Sequence, residues 1–219
     1  LRKLGMAPVH GGRLYEDQML VSFPSSEMFF GCASEFLERV LRLACKGENP
    51  SCALFDQLFL PHNLDRLNSY FPQGNAKAIV VSRDPRDVFV LNKYHWLPAN
   101  CPVPFPLDVQ TFCEYYRVMR KAVPSYDSSL VLEVRFEDLV LDYESTVSRI
   151  ESFLGSDLGR HERPRSLFDP AVSARNVCVY RDRIEYANEA DAIEKKLEEF
   201  IVAPSSDEFL RNREAAGAF

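Results

Sequence analysis

The chain has 219 residues, enough for one sizeable domain with a real core and short for two. Hydrophobic residues make up 46% and charged residues 26%, an ordinary balance for a globular domain of enzyme size. The 26 Lys and Arg against 32 Asp and Glu leave a net charge of −6, which argues against a broad nucleic-acid surface, so any phosphate site has to be local.

The six cysteines form no Cys-x-x-Cys pair and have no histidine at metal-ligand spacing, so neither a metal site nor a thioredoxin-like motif is expected. Cys32 and Cys45 fall in a helical pattern and Cys178 in an apolar run. They read as reduced, packed thiols, and the expected compartment is the cytoplasm. There is no run of 18 apolar residues and no signal-peptide pattern, so no membrane span is expected. Leu1-Arg-Lys-Leu-Gly5 resembles the last turn of a helix at a glycine C-cap, which implies that residues precede it.

The first helix is expected over 27–45, with Phe30, Ser34, Leu37, Leu41 and Ala44 on one face, Ser25 or Ser26 as its cap and Lys46-Gly47 as its end. Residues 52–60 suggest a short strand interrupted by Asp56-Gln57, and 64–71 a short helix. Pro72-Gln-Gly-Asn75 is turn chemistry that feeds a strand over 77–82. Its nearly continuous apolar run predicts a central parallel strand covered on both faces. A helix over 87–96 follows, then a loop over 97–107 with four prolines, either a substrate-side lid or a rigid crossover.

Asp108 can cap a helix over 109–122 whose buried side carries Phe112, Tyr115, Tyr116 and Met119. Another strand is expected over 130–134, then the turn Arg135-Phe-Glu-Asp-Leu139 and an amphipathic helix over 143–154 closed by Gly155. Residues 156–174 read as a polar surface segment, 189–202 as the last helix and 203–219 as a loosely held tail. Strands alternating with helices predict an α/β domain with a parallel sheet over 1–202.

The most informative stretch is Ala78-Ile-Val-Val-Ser-Arg-Asp-Pro-Arg-Asp-Val-Phe-Val90. A strand that delivers an arginine to its carboxyl end beside a helix N-terminus suits a phosphate. The guanidinium makes bidentate contacts to phosphate oxygens and stays charged at any working pH.

Three motifs in order resemble the sulfotransferases that use 3′-phosphoadenosine 5′-phosphosulfate (PAPS). They are Arg83-Asp-Pro-Arg-Asp-Val88, then Val131-Leu-Glu-Val-Arg-Phe-Glu-Asp-Leu-Val-Leu-Asp142 leading to Ile150-Glu-Ser-Phe-Leu-Gly155, and Asn176-Val-Cys-Val-Tyr-Arg-Asp182. The resemblance implies a P-loop-NTPase-like three-layer α/β/α domain, incomplete at its N-terminus. It also implies sulfuryl transfer from PAPS to a hydroxyl or amine on a small-molecule or carbohydrate acceptor, with adenosine 3′,5′-bisphosphate as product.

Carried over by position, Arg83 grips the 3′-phosphate. The serine usual eight residues later is Leu91 here, which cannot donate a hydrogen bond. Asn92 either substitutes for it or is a surface polar residue. The family's basic cluster before the last helix is matched by Arg175, with Arg181 behind it, and its tyrosine in the second motif is Phe136. Glu137 and Asp138 read as turn and capping residues.

His62, near the place of the family's base, is the candidate to accept the acceptor's proton, with Asp56 as runner-up. The family's Gly, Ser/Thr and Lys loop for the 5′-phosphosulfate has no match; Pro8-Val-His-Gly-Gly-Arg13 lacks the lysine and the hydroxyl residue, and the loop is expected upstream. A non-catalytic protein of the same fold is the competing reading. A kinase is argued against by the lack of a Walker loop or metal-holding Asp pair.

Overall fold

The computed structural model of the protein describes residues 25–45, 52–74, 76–155 and 163–201. The helix end at 1–5, the glycine pair at 11–12, the Lys46-Gly47 stop, residues 156–162 of the polar segment and the domain boundary and tail from 202 onward lie outside the described residues. Within them is a mixed helix and strand structure with one small parallel sheet.

The sheet pairs β1 (Ala78–Ser82) with β2 (Val131–Arg135), in register from Ala78 opposite Val131 to Ser82 opposite Arg135. Val80 packs with Leu64, Val123 and Val131 on the covered side. The expectation that β1 is covered on both faces is corrected, because Ile79 and Val81 are 39% and 55% exposed. With two described strands, β1 behaves as half-covered sheet, and its period-two alternation decides which side chains go inward. The expected strand at 52–60 is likewise absent: bends occupy 56–59, with Gln57 at φ +57° turning the chain where an extended run was anticipated, and apart from the half-buried Phe59 the segment is exposed.

Helix α1 (Ser26–Ala44) starts where the cap chemistry placed it, with the Ser25 hydroxyl accepting from Met28 N at 3.2 Å. Its anticipated face is the half-buried one at Phe30, Ser34, Leu37 and Leu41, and Phe30 meets Tyr70 of α2 (Leu67–Tyr70) ring to ring at 5.0 Å. Cys32 on this helix is exposed, whereas Cys113 and Cys178 are packed.

Helix α3 (Pro85–Val90) begins two residues earlier than periodicity suggested. Asp84 caps it by accepting from Arg86 N at 2.9 Å, and Pro85 occupies the first turn, where a missing N–H costs nothing. It runs on as a wider π-type turn over Leu91–Trp96. Helix α4 (Val109–Arg120) is capped by Asp108, as expected, through Thr111 N at 2.9 Å. Its Phe112, Cys113 and Tyr116 pack with Phe89, Ile193 and Leu197; Tyr115, expected on that side, is instead exposed.

The Phe-Glu-Asp turn is itself a short helix, α5 (Phe136–Leu141), and α6 (Tyr143–Leu154) follows, ending at Gly155 with φ +98°. After α7 (Pro170–Ser173), the segment 177–180 is buried whole against Val90, Leu91 and Val140. The last helix, α8 (Ala187–Lys196), begins and ends earlier than expected and is followed by a turn over Glu198–Phe200. Among the described residues no helix is long and apolar enough to cross a membrane.

Candidate functional site

Strand β1 ends on Ser82, and the chain then places four charged side chains in five residues around Pro85: Arg83, Asp84, Arg86 and Asp87. The two arginines do different things. Arg83 lies over the Phe136 ring at 4.5 Å, donates through Nη2 to the Asn176 carbonyl and stands 4.0 Å from Asp87. Its buried Nε has no hydrogen-bond partner among the described residues. Burial lowers its pKa, against the opposing pull of Asp87, but a guanidinium stays charged.

Arg86 is structural. Its Nε and Nη2 donate to the Asp84 carboxylate at 3.0 and 2.7 Å, Nη1 reaches Glu194 at 2.5 Å, and the guanidinium lies 4.1 Å from the Tyr180 ring. Burial pulls its pKa down, yet the Asp84 bonds and charge outweigh this and raise it.

The turn is locked from two sides. Asp84 N donates to Glu137 Oε1 at 2.9 Å, so the glutamate of the Phe-Glu-Asp motif caps the Arg83 turn from the neighbouring strand end. Burial pushes the Glu137 carboxyl up, and its Oε2 has no partner. Asp87, fully buried, accepts from Cys178 N at 2.7 Å and Tyr180 N at 3.1 Å. These bonds hold Cys178 at φ +59°, a left-handed conformation uncommon for a side chain with a Cβ. The third sequence motif is therefore docked on the first by one carboxylate.

Burial pushes the Asp87 carboxyl up to about 7, although Arg83 opposes this. A raised carboxyl keeps its proton in the folded state over a range where the unfolded chain has already lost it. The unfolded state then binds fewer protons, so stability falls as pH rises from the ordinary carboxyl range toward 7. Thermal unfolding is expected to show a melting temperature that declines across this window, with a shallower decline in Asp87→Asn. Equal slopes in the two proteins would contradict this origin.

Asn92 is fully buried, and its amide is spent on one residue of the proline loop: Nδ2 donates to the Phe105 carbonyl at 2.9 Å and Oδ1 accepts from Phe105 N at 3.3 Å. It ties loop 97–107 to the helix, and both of these bonds go to Phe105, none to Arg83. Asn92→Ala is expected to cost about 2 kcal/mol in urea unfolding, because two backbone groups lose their partner. Leu91, at the position eight residues after Arg83, is buried among Val90, Val177 and Tyr180.

Arg175 is an exposed residue in the turn Ala174–Asn176, next to the residue whose carbonyl holds Arg83; Arg181 donates to the Tyr180 hydroxyl at 3.1 Å. The structure thus brings Arg83, Phe136 and the Arg175 turn together. His62, in the turn Pro61–Arg66, has Nδ1 3.2 Å from Met119 Sδ. Met119 lies one helical turn past Tyr116, whose hydroxyl donates to the Arg83 carbonyl at 2.6 Å. His62 therefore flanks the same helix but does not touch Arg83. Asp56 is in an exposed bend.

Sequence reasoning passed over Asp84, Arg86, Asp87 and the true partner of Glu137. The available signal was the density of opposite charges between an apolar strand and an apolar helix, where unpaired charge cannot be buried. An opening of about 370 Å³ near Tyr143 and Arg165 is lined by none of these residues.

A family model described as the sulfotransferase family matches residues 22–159, more than half of the sequence. No curated protein and no solved structure matches.

Proposed function

Because the chain belongs to the sulfotransferase family, we propose that it transfers a sulfuryl group from PAPS to a hydroxyl or amine acceptor and releases adenosine 3′,5′-bisphosphate. The parallel pair β1–β2 is then part of a P-loop-like three-layer domain, and the exposed Cys32, Cys52 and Cys101 thiols suit a reducing, cytoplasmic setting.

The observation that carries the reading is Arg83: a guanidinium at a strand's carboxyl end with one buried nitrogen lacking a partner. Such a nitrogen costs free energy unless something supplies an acceptor, and a phosphate oxygen is suitable. The residues fit the 3′-phosphate end of PAPS in this respect.

PAPS, when bound, supplies the activated sulfuryl group and a phosphate leaving group. Arg83 would hold the 3′-phosphate, oriented by the Phe136 ring and the Asn176 carbonyl, and Arg175 would add a second cation from the adjacent residue. Asn92, by fixing loop 97–107, would shape the acceptor side without touching the cofactor. His62 would take the acceptor's proton. His62→Gln is expected to lower kcat about a hundredfold with little change in the KM for PAPS, measured as sulfate transfer to acceptor.

Calorimetric titration with adenosine 3′,5′-bisphosphate tests the reading directly. Saturable binding supports it, and no heat above dilution overturns it. A non-catalytic protein of the same fold is favoured by the buried Leu91 and by Arg83's tie to a backbone carbonyl. That reading, a protein acting by binding or assembly, predicts no turnover of PAPS over any acceptor.

A further inference from the structure

A cavity of about 100 Å³ lies at the carboxyl ends of β1 and β2, against the last turn of α4 and Phe200. It is too small for a nucleotide, since pockets for whole small molecules run to several hundred Å³, but it has room for one acid group. Its walls include Ser82, Arg83, Arg120 and Arg135 with Glu133 and Glu199. We propose that it binds a single oxyanion group of sulfate or carboxylate size through Arg120 and Arg135, with the Ser82 hydroxyl as an additional donor.

The side chains divide cleanly by whether they are already engaged. The guanidinium of Arg83 is turned to Asn176, Phe136 and Asp87, and its buried Nε, without a partner among the described residues, belongs to the 3′-phosphate reading above. Tyr116 gives its hydroxyl to the Arg83 carbonyl, and Glu199 is paired with Arg117 at 3.1 Å. Arg120 packs its guanidinium 5.8 Å from the Tyr116 ring, and its buried Nη1 has no hydrogen-bond partner among the described residues. Burying a guanidinium nitrogen unpaired is costly, so the site is prepared for an acceptor that the described residues do not provide.

The sheet register supplies the second cation. Ser82 and Arg135 are opposite one another on adjacent parallel strands, and paired residues project from the same side of the sheet. Ser82 is 8% exposed, with no hydrogen bond from its hydroxyl among the described residues. Arg120 and Arg135 outnumber Glu133, the remaining wall carboxylate without an ion pair there, so the cavity favours an anion over a cation or a neutral group.

The test is titration with inorganic sulfate at constant ionic strength, followed by calorimetry. Wild-type protein is expected to bind saturably, and Arg120→Gln to lose at least tenfold in affinity. Arg135→Gln, a change on an exposed side chain that spares the fold, is expected to weaken sulfate severalfold. Methyl sulfate serves as the second probe: competition with sulfate assigns the site to an acid group carried on a larger acceptor, and binding of inorganic sulfate alone assigns it to the free ion.

Adenosine 3′,5′-bisphosphate separates this site from the one built on Arg83. Both variants are expected to keep the bisphosphate affinity of the wild type. Unchanged sulfate affinity in Arg135→Gln and in folded Arg120→Gln overturns the proposal, as does a parallel loss of bisphosphate and sulfate binding. Failure of the wild type to bind bisphosphate, with sulfate binding intact, overturns the nucleotide reading and leaves this one standing.

Discussion

Arg83→Ala is expected to weaken binding of adenosine 3′,5′-bisphosphate about a hundredfold while the protein remains folded. The magnitude follows from the bonds at stake: charge-assisted hydrogen bonds to a phosphate contribute about 1.5–3 kcal/mol, and about 2.7 kcal/mol is two decades in affinity. The fold should survive because Arg83 is not the cation that neutralises the buried turn. Its ion pair with Asp87 is long, at 4.0 Å, and its other tie is to one backbone carbonyl.

Truncation leaves that carbonyl and part of the Phe136 ring uncovered, worth about 1 kcal/mol of stability. Arg83→Lys should recover little affinity, since an ammonium has no planar fork to follow the ring and the phosphate together. Calorimetry measures the affinity and circular dichroism the fold. An unchanged dissociation constant in folded Arg83→Ala would remove Arg83 from the site.

The second large effect belongs to the other arginine of the same turn. Arg86→Ala should destabilise the protein by about 3–5 kcal/mol, a large share of the roughly 5–15 kcal/mol that holds a domain together. The reason is what remains: Asp84 is 3% exposed, and without Arg86 its carboxylate stays in a low-dielectric setting without its ion-pair partner. The Glu194 contact adds little, since that side chain is 52% exposed and its charge is screened. Loss of the packing between Arg86 and the Tyr180 ring contributes as well.

Urea unfolding tests this, and a double variant separates charge from packing. Arg86→Met with Asp84→Asn removes both charges and keeps a residue able to cap α3, so it should be markedly more stable than Arg86→Ala. A loss below about 1 kcal/mol in Arg86→Ala would show that the pair is not carrying the turn.

Much of the local structure was legible because it depends on short-range chemistry. Ser25, Asp84 and Asp108 start helices by accepting from backbone N–H groups two or three residues on, Pro85 suits a first turn by its fixed φ, and Gly155 ends α6 with a positive φ. The errors came where distant partners decide. The 52–60 segment is apolar enough for a strand, but a strand needs a neighbour, and the turn at Gln57 prevailed. Ile79 and Val81 belong to an apolar run that reads as fully covered, yet the described sheet covers one side.

For the candidate site the division runs through single residues. The sequence by itself determined that an arginine would stand at the end of β1 beside a helix start, because the apolar run of β1, the Asp84 cap and Pro85 are all local. It also carried the first two motifs, which lie within the stretch that the sulfotransferase family model matches. Only the tertiary structure decided which arginine is available: Arg83 and Arg86 are equally basic on paper, but Asp84, Glu194 and Tyr180 claim Arg86, whereas Arg83 keeps a buried nitrogen unpaired. The same holds for Asn92, whose amide is taken by Phe105, and for Asp87, which docks residues 178–180. The physical reason is burial: a polar group removed from water must find a partner, and folding, not sequence distance, sets which partners are within reach.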